Sequence, residues 1–180
     1  MEARVLSLRA ASPAPAGFAG WTLSGNPSSD PKVGLPAPAW QVPGNSSYLW
    51  RDDHKPYSRF GFKMMSQGLA DFFFSCDDAG KGQMFRIDTR ANGNWAGFAT
   101  TSSWTSWNAP SSGFYAAPDT WIAVALAVQG SRVLARCTWA GGAADVTLTG
   151  YKANGTAFGF QGDGLGATSY TWVSAFEASA

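Results

Sequence analysis

Residues 122–139 read IAVALAVQGSRVLARCTW, and this stretch decides the fold. Apolar side chains recur at every second position on both sides of the Gly130-Ser131 pair. Because alternate side chains of a strand point to opposite faces, each half of the stretch predicts a strand with one apolar face. Gly130 supplies the positive φ that a tight turn requires. The stretch therefore predicts an antiparallel hairpin with one buried face.

The same two-residue period recurs along the chain, whereas helical periodicity is almost absent. Turn segments rich in Gly, Asn and Asp separate the periodic runs. We predict strands near 4–9, 19–24, 38–42, 47–51, 57–65, 70–76, 82–89, 94–100, 119–129, 131–139, 144–149, 156–161 and 168–178. This regular spacing, with 21 Gly and 10 Pro, is typical of an all-β fold. It predicts a two-sheet antiparallel β-sandwich of the jelly-roll type.

The length predicts one domain over residues 1–180, with residues 1–17 as an N-terminal strand or extension. A chain of 180 residues can bury roughly 70% of its unfolded surface in one core. Two long segments, 25–37 and 101–118, are predicted to be loops, and loops of this length are usually functional or mobile. No internal repeat or interdomain linker is visible.

The charge composition argues against several partners. Charged residues make up 14% of the chain and the net charge is +1, so no strong field would attract nucleic acid. No run approaches the ~20 apolar residues of a membrane span, so membrane insertion is not expected. The first residues lack the apolar core of a signal peptide. We expect the chain on an extracellular surface or in a virion.

Three stretches resemble the concanavalin A-like lectin/glucanase superfamily, particularly its laminin-G-like and carbohydrate-binding jelly rolls. Residues 57–74 resemble the paired strands of that superfamily, and Gln83-Met84-Phe85-Arg86-Ile87-Asp88 resembles the strand that follows. Residues 119–136 resemble its "Trp, apolar strand, Gly turn, apolar strand" hairpin, and Ser169-Tyr170-Thr171-Trp172-Val173 its closing strand. Members include lectins, glycosidases, polysaccharide lyases and phage tail modules, so the resemblance implies the fold and leaves the function open.

The surplus of aromatic residues indicates a ligand site. Nine Trp and twelve Phe exceed what one core of this size needs. Sugar rings present apolar C–H faces edged by hydroxyl groups, so their sites combine flat aromatic rings with hydrogen-bonding groups. The predicted contacts in and near segment 101–118 are Trp95, Trp104, Trp107, Asn108 and Tyr115. The alternative is that Trp104 and Trp107 cap the sandwich or fill a subunit interface.

A second predicted group of ligand contacts lies in residues 50–56. Trp50, Arg51, Asp52 and His54 could form polar and aromatic contacts at the rim of a sandwich. The alternative is a solvated polar turn without a ligand. His54 is the only histidine, so a zinc site is not expected.

Catalysis and metal binding have weaker support. Glycoside cleavage usually needs two carboxylates at a set separation, and the candidates are the pairs Asp52-Asp53, Asp77-Asp78 and Asp71 with Asp88. Adjacent aspartates are more often turn formers, so no catalytic residue is predicted. No cofactor is predicted either. A calcium ion held by Asp77, Asp78 and Asp88 is kept as an alternative.

The charged residues and cysteines leave two further questions open. If their strands share a sheet, seven side chains would form one basic face that could grip acidic sugars: Arg59, Lys63, Asp71, Arg86, Asp88, Arg132 and Arg136. The alternative is ordinary solvated pairing.

Cys76 and Cys137 are interpreted as two buried free thiols, with one disulfide between neighbouring strands as the alternative.

The leading hypothesis is a non-catalytic carbohydrate-binding module that recognises a polysaccharide. The second is a structural virion or phage tail-fibre component, whose aromatic residues pack in a homo-oligomer or a larger assembly and which could itself bind glycans. The third is a glycoside hydrolase or polysaccharide lyase that uses aspartates.

Overall fold

The computed structural model describes residues 20–25, 27–30, 32–34, 38–44, 47–78, 80–90, 92–101, 114–162 and 170–180. These residues form strands and connections, with no helix among them. The strands are β1 (Thr22–Ser24), β2 (Ser28–Asp30), β3 (Ala39–Pro43), β4 (Tyr48–Arg51), β5 (Arg59–Ser66), β6 (Leu69–Cys76), β7 (Gln83–Asp88), β8 (Trp95–Thr100), β9 (Ile122–Gln129), β10 (Arg132–Trp139), β11 (Gly142–Thr149), β12 (Ala157–Gly162) and β13 (Tyr170–Ser179).

The strands form two antiparallel sheets. The six-stranded sheet has the order β1-β4-β12-β6-β7-β8, and the seven-stranded sheet has the order β11-β10-β9-β5-β13-β3-β2. Every pair of neighbouring strands is antiparallel. The predicted all-β sandwich is confirmed. Over the described ranges, no helix has the length and apolar character needed to cross a membrane.

The core lies between the two sheets and consists largely of aromatic rings. Phe72 of β6 is fully buried and its ring contacts five others, those of Phe60, Phe62, Phe74, Phe160 and Phe176. The alternating apolar residues of β5, β9 and β10 point into this core, as do Phe72 and Phe74 of β6. Cys76, predicted to share their face, packs instead in a separate cluster with Phe73 and Ala157, because the positive φ of Ser75 interrupts the alternation. The two-residue period therefore identified the buried faces.

The predicted loop 25–37 is partly wrong. Ser28–Asp30 forms β2, which pairs with β3 at the edge of the seven-stranded sheet. The segment reads as a loop because Pro27 and Pro31 flank it, but a three-residue edge strand needs few backbone donors and tolerates flanking prolines. The predicted strand at 4–9 and most of the predicted loop 101–118 lie outside the described residues.

Cys76 and Cys137 are both buried and free, as predicted from the sequence. Cys76 belongs to β6 in the six-stranded sheet and Cys137 to β10 in the other sheet. Burial raises the pKa of each thiol to about 12, with a smaller contribution from Asp77 at Cys76 and from Asp145 at Cys137.

We expect both thiols to resist a thiol reagent such as Ellman's reagent at pH 8 until the protein unfolds. Only the thiolate reacts, and the raised pKa keeps both groups protonated in the folded state. Unfolding restores a pKa of roughly 8.5, so the thiols stabilise the fold below about pH 8.5, and that contribution is lost as the pH rises toward 12. Reagent uptake with and without denaturant measures this, and rapid native labelling would contradict it.

Candidate functional site

The outer face of the six-stranded sheet carries two adjacent rows of side chains. The register of the strands places one residue from each strand in each row. The polar row is Ser24, Tyr48, Gln161, Asp71, Arg86 and Gly97. The aromatic row is Thr22, Trp50, Gly159, Phe73, Met84 and Ala99. Neighbouring rows on one face lie two residues apart along the strands, roughly 7 Å.

A bidentate ion pair lies in the polar row. Nε and Nη2 of Arg86 donate to the two carboxylate oxygens of Asp71, each at 2.6 Å. The side chains are 11% and 1% exposed, so the pair is largely withdrawn from solvent. Asp71 neutralises Arg86 locally. The pair therefore offers polar atoms without a net charge.

Gln161 lies beside this ion pair, between Tyr48 of β4 and Asp71 of β6. Gln161 is 5% exposed, and its Oε1 accepts no hydrogen bond from the residues that the structure describes. A buried acceptor without a donor costs free energy, and such groups call for an explanation. Because this oxygen is buried, a ligand hydroxyl would satisfy it only if the Gln161 side chain turned outward.

Aromatic rings border the polar row. Tyr48 and Trp50 are half-buried and pack against a small cluster of Phe73, Cys76 and Ala157. Gly159 lies between Trp50 and Phe73 in the aromatic row, and a Cβ there would come within 2.7 Å of the Phe73 ring. The missing side chain therefore leaves room for the Phe73 ring, beside the partly exposed Trp50.

A second arginine–carboxylate pair lies at the end of the same face. Asp88 is fully buried, and Arg90 donates to it from Nε at 2.9 Å and from Nη2 at 2.6 Å. Trp95 pairs with Asp88 across β7 and β8. Trp50 and Trp95 thus share the outer face, but four strand spacings separate β4 from β8, about 19 Å.

Arg51 ends β4 and alternates to the opposite face from Trp50, and Asp52 and His54 follow in the turn. There Arg51 Nε donates to Asp53 Oδ1 at 2.6 Å and Tyr57 donates to the other oxygen. Thr156 and the His54 backbone donate to Asp52 at 2.7 and 2.8 Å. The side chain of His54 is 86% exposed. These hydrogen bonds hold the largely buried carboxylates of Asp52 and Asp53 in the turn, and the ligand role of Arg51, Asp52 and His54 stays a prediction.

Asp53, which the sequence prediction did not single out as a ligand contact, anchors this turn. Burial raises the pKa of its carboxyl group, but the hydrogen bonds from Arg51 and Tyr57 outweigh burial, so the pKa lies below its ordinary value. A lowered pKa means that Asp53 stabilises the fold above about pH 4 and that this contribution is lost in acid.

The remaining predicted contacts are separated from this site or lie outside the described residues. Tyr115 is 75% exposed and follows Phe114, which packs on Trp139 of β10 with ring centroids 4.9 Å apart. Trp104, Trp107 and Asn108 lie outside the described residues, so the predicted role of the aromatic loop stays a prediction.

The seven charged residues do not form one face. Asp71, Arg86 and Asp88 belong to the six-stranded sheet. The other four, Arg59, Lys63, Arg132 and Arg136, lie on the seven-stranded sheet. The common sheet that the sequence hypothesis required is therefore wrong. Alternation along each strand cannot tell which sheet a strand joins, because that depends on long-range pairing.

The outer face of the seven-stranded sheet carries a groove of about 1000 Å³. Gly61, Ala125 and Ala127 line it along with Leu134, and Arg59, Arg136, Asp145 and Glu177 add charges of both signs. Its middle is small and apolar, without the aromatic rings and buried polar atoms of the opposite face. We therefore place the candidate site on the six-stranded sheet.

The proposed calcium ligands are not brought together. Asp77 and Asp78 precede β7 and Asp88 ends it, so the length of β7, about 17 Å, separates them. Asp77 Oδ1 accepts from the Lys81 backbone at 2.8 Å, and Asp88 is held by Arg90. Over the described part of the chain, no three His, Cys, Asp or Glu side chains are grouped to hold a metal ion.

Sequence reasoning missed Tyr48, Phe73, Gly159 and Gln161. The signal was present, because Tyr48 and Trp50 occupy alternate positions of one predicted strand, as do Gly159 and Gln161 of another. What was lacking was the neighbour relation: β12 lies between β4 and β6 although more than 80 residues separate it from either. Only that pairing brings Gln161 beside Asp71.

Comparisons with known proteins identify the fold. A scan against protein-family models gives no match, and neither does a search of curated proteins. Solved structures do match. The carbohydrate-binding module CBM66 from Bacillus subtilis superposes with a TM-score of 0.67 at 12% identity, covering 91% of this chain and 98% of its own.

Two further solved structures are also similar. The lectin from Bauhinia forficata in complex with GalNAc gives a TM-score of 0.57 at 10% identity, with 89% of this chain and 92% of that chain covered. The exoplasmic/lumenal domain of VIP36, in a form bound to Ca²⁺ and Man, gives 0.52 at 12% identity, covering 91% and 90%. Identities this low show a shared fold and nothing finer, and the predicted jelly-roll architecture is confirmed.

Proposed function

We propose that this chain, which has the concanavalin A-like jelly-roll fold, is a non-catalytic carbohydrate-binding module. Its site is the outer face of the six-stranded sheet, where Trp50 and Tyr48 border Gln161 and the Asp71–Arg86 pair. The observation that carries the proposal is the buried Oε1 of Gln161, which accepts no hydrogen bond from the described residues and lies beside the partly exposed rings of Tyr48 and Trp50. The names of the similar solved proteins support it, since they describe a carbohydrate-binding module, a lectin in complex with GalNAc and a domain in a Ca²⁺/Man-bound form.

The chemistry of the two rows matches a sugar ring. An aromatic ring packs against the apolar C–H face of a pyranose, while amide and charged groups bond its hydroxyls. Trp50 supplies the flat surface, and Gln161 supplies an acceptor that only a hydroxyl or amide donor can satisfy. Because Asp71 neutralises Arg86, the site favours a neutral hydroxylated ligand.

The carboxylates of this face serve a binding role in the proposal. Asp71 and Asp88 each accept two hydrogen bonds from an arginine, which leaves neither poised as a free acid or base. The site uses no metal ion. Glycan binding is therefore expected to survive EDTA, and loss of binding in EDTA would restore the calcium hypothesis.

Trp50→Ala is expected to weaken glycan binding by roughly tenfold or more. One aromatic contact contributes about 0.5–1.5 kcal/mol beyond the area it buries, and the buried area adds to that. A glycan array first identifies a ligand, and titration calorimetry then compares the variant with the wild type. The matched control is Trp172→Ala, since Trp172 is also half-buried but belongs to β13 in the other sheet.

Gln161→Met tests the polar row separately. It keeps the size of the side chain and removes the acceptor, so we expect a loss of about fivefold, the value of roughly one hydrogen bond. Unchanged binding in both variants would remove this face from the site. The Trp104→Ala/Trp107→Ala double variant then tests the alternative site in the aromatic loop. The virion and extracellular-surface hypotheses stay predictions.

A further inference from the structure

The edge of the seven-stranded sheet ends in a long, regular strand. β11 spans eight residues and pairs with β10 from Arg132↔Thr149 to Trp139↔Gly142 without a register shift. No strand of the described residues pairs with its other side. By comparison, β1 and β2 are three-residue edge strands.

β11 lacks the features that usually protect an edge. Natural edge strands are blunted by lysine, proline, bulges or shortness. The sequence of β11, GAADVTLT, contains neither lysine nor proline, and Asp145 is its one charged residue. Its side chains alternate between the buried Ala144, Val146 and Leu148 and a more exposed outer row. Such a strand is a template for a further antiparallel strand.

The hairpin geometry identifies the backbone groups that face outward. β10 and β11 are joined by the two-residue turn Ala140-Gly141, which closes on the pair Trp139↔Gly142. In a two-residue hairpin that closing pair is hydrogen-bonded, and bonded and non-bonded pairs alternate from there. The N–H and C=O groups of residues 143, 145, 147 and 149 therefore point away from β10.

We propose that β11 pairs antiparallel with β11 of a second copy of this chain, on a two-fold axis at Val146. This register places Asp145 opposite Thr147 of the other copy and Ala143 opposite Thr149. All four outward-facing residues then find partners, and buried residues stay opposite buried residues. A register centred on Asp145 would instead oppose two like charges directly, which is destabilising. The chain is therefore self-complementary along this edge.

The dimer joins the two seven-stranded sheets into one continuous sheet. The six-stranded sheets, which carry the proposed glycan site, do not take part in the contact. The inference is therefore independent of the proposed function, and each can fail without the other.

Sedimentation velocity of the whole chain over a concentration series tests the proposal. The wild type is expected to show a monomer–dimer equilibrium. Thr147→Asp should raise the dimer dissociation constant at least tenfold, because the new carboxylate faces Asp145 twice across the axis. Thr147→Lys should leave the dimer intact or tighten it.

Thr138→Asp is the matched control. Thr138 is exposed on the same outer face, but it lies on β10, one strand in from the edge. This variant should dimerise like the wild type. A wild type that stays monomeric at every concentration, or a dimer that Thr147→Asp leaves unchanged, would overturn the proposal. So would a dimer that Thr138→Asp weakens as much as Thr147→Asp does.

Discussion

Replacing Phe72 with alanine is expected to lower the free energy of unfolding by about 3–5 kcal/mol. The Phe72 ring is fully buried, and five other rings surround it at centroid distances of 4.6–6.4 Å. These rings come from both sheets, so the cavity would lie where the sheets meet. The neighbouring rings cannot fill this cavity without a movement of the backbone. We therefore expect the loss of unfolding free energy to lie at the upper end of that range.

Urea denaturation of the wild type and the variant measures this loss. A domain is typically stable by only 5–15 kcal/mol, so the variant is best compared at low temperature. Tyr115→Ala is the control, since Tyr115 is 75% exposed and its loss should change stability by less than about 0.5 kcal/mol. A loss below about 1 kcal/mol for Phe72→Ala would mean that the sheets do not pack on each other around this ring.

Replacing Arg86 with methionine is expected to destabilise the protein by about 3–5 kcal/mol, because it leaves the carboxylate of Asp71 buried and unpaired. Most of this loss of stability comes from leaving the Asp71 carboxylate buried without a partner, and less comes from the lost attraction between the two charges. The double replacement Asp71→Leu/Arg86→Met removes both charges, and buried pairs replaced in this way are often neutral or more stable. We expect the double variant to recover most of the loss.

The same two variants separate stability from binding. If the ion pair contributes polar atoms to the glycan site, the double variant should fold well and bind the ligand weakly. Denaturation in urea and titration with the array-identified glycan, performed on the same samples, give both values. A double variant as unstable as Arg86→Met would contradict the explanation that the loss comes from the buried, unpaired carboxylate of Asp71.

The buried faces could be predicted from the sequence, and most of the site could not. The two-residue period depends only on the geometry of a strand, so the apolar residues of 122–139, such as Val124, Leu126 and Val133, were predicted correctly to be buried. Trp50 was also a predicted contact, and it lies on the proposed site. Its neighbours Gln161 and Asp71 come from strands that meet only in the folded protein. Nothing in the local sequence indicates that these strands are neighbours in the sheet.

The predicted polar contacts beside Trp50 show the same limit. Arg51, Asp52 and His54 follow Trp50 directly, so proximity along the chain suggested one site. Side chains adjacent in a strand point to opposite faces, and Arg51 therefore leaves the face that Trp50 occupies. Its partner Asp53 lies in a turn stabilised by Tyr57. Tyr48, two positions before Trp50 on the same strand, shares its face instead.

The strand order has a consequence for biosynthesis. β12 inserts between β4 and β6, and β13 inserts between β3 and β5, so interior positions of both sheets are filled by strands that leave the ribosome after all the other described strands. Until then, a nascent chain carries two half-built sheets with their phenylalanine faces uncovered, which is the state most prone to aggregate. Removing β13 would therefore split the seven-stranded sheet, and expression of such a truncated chain should yield inclusion bodies.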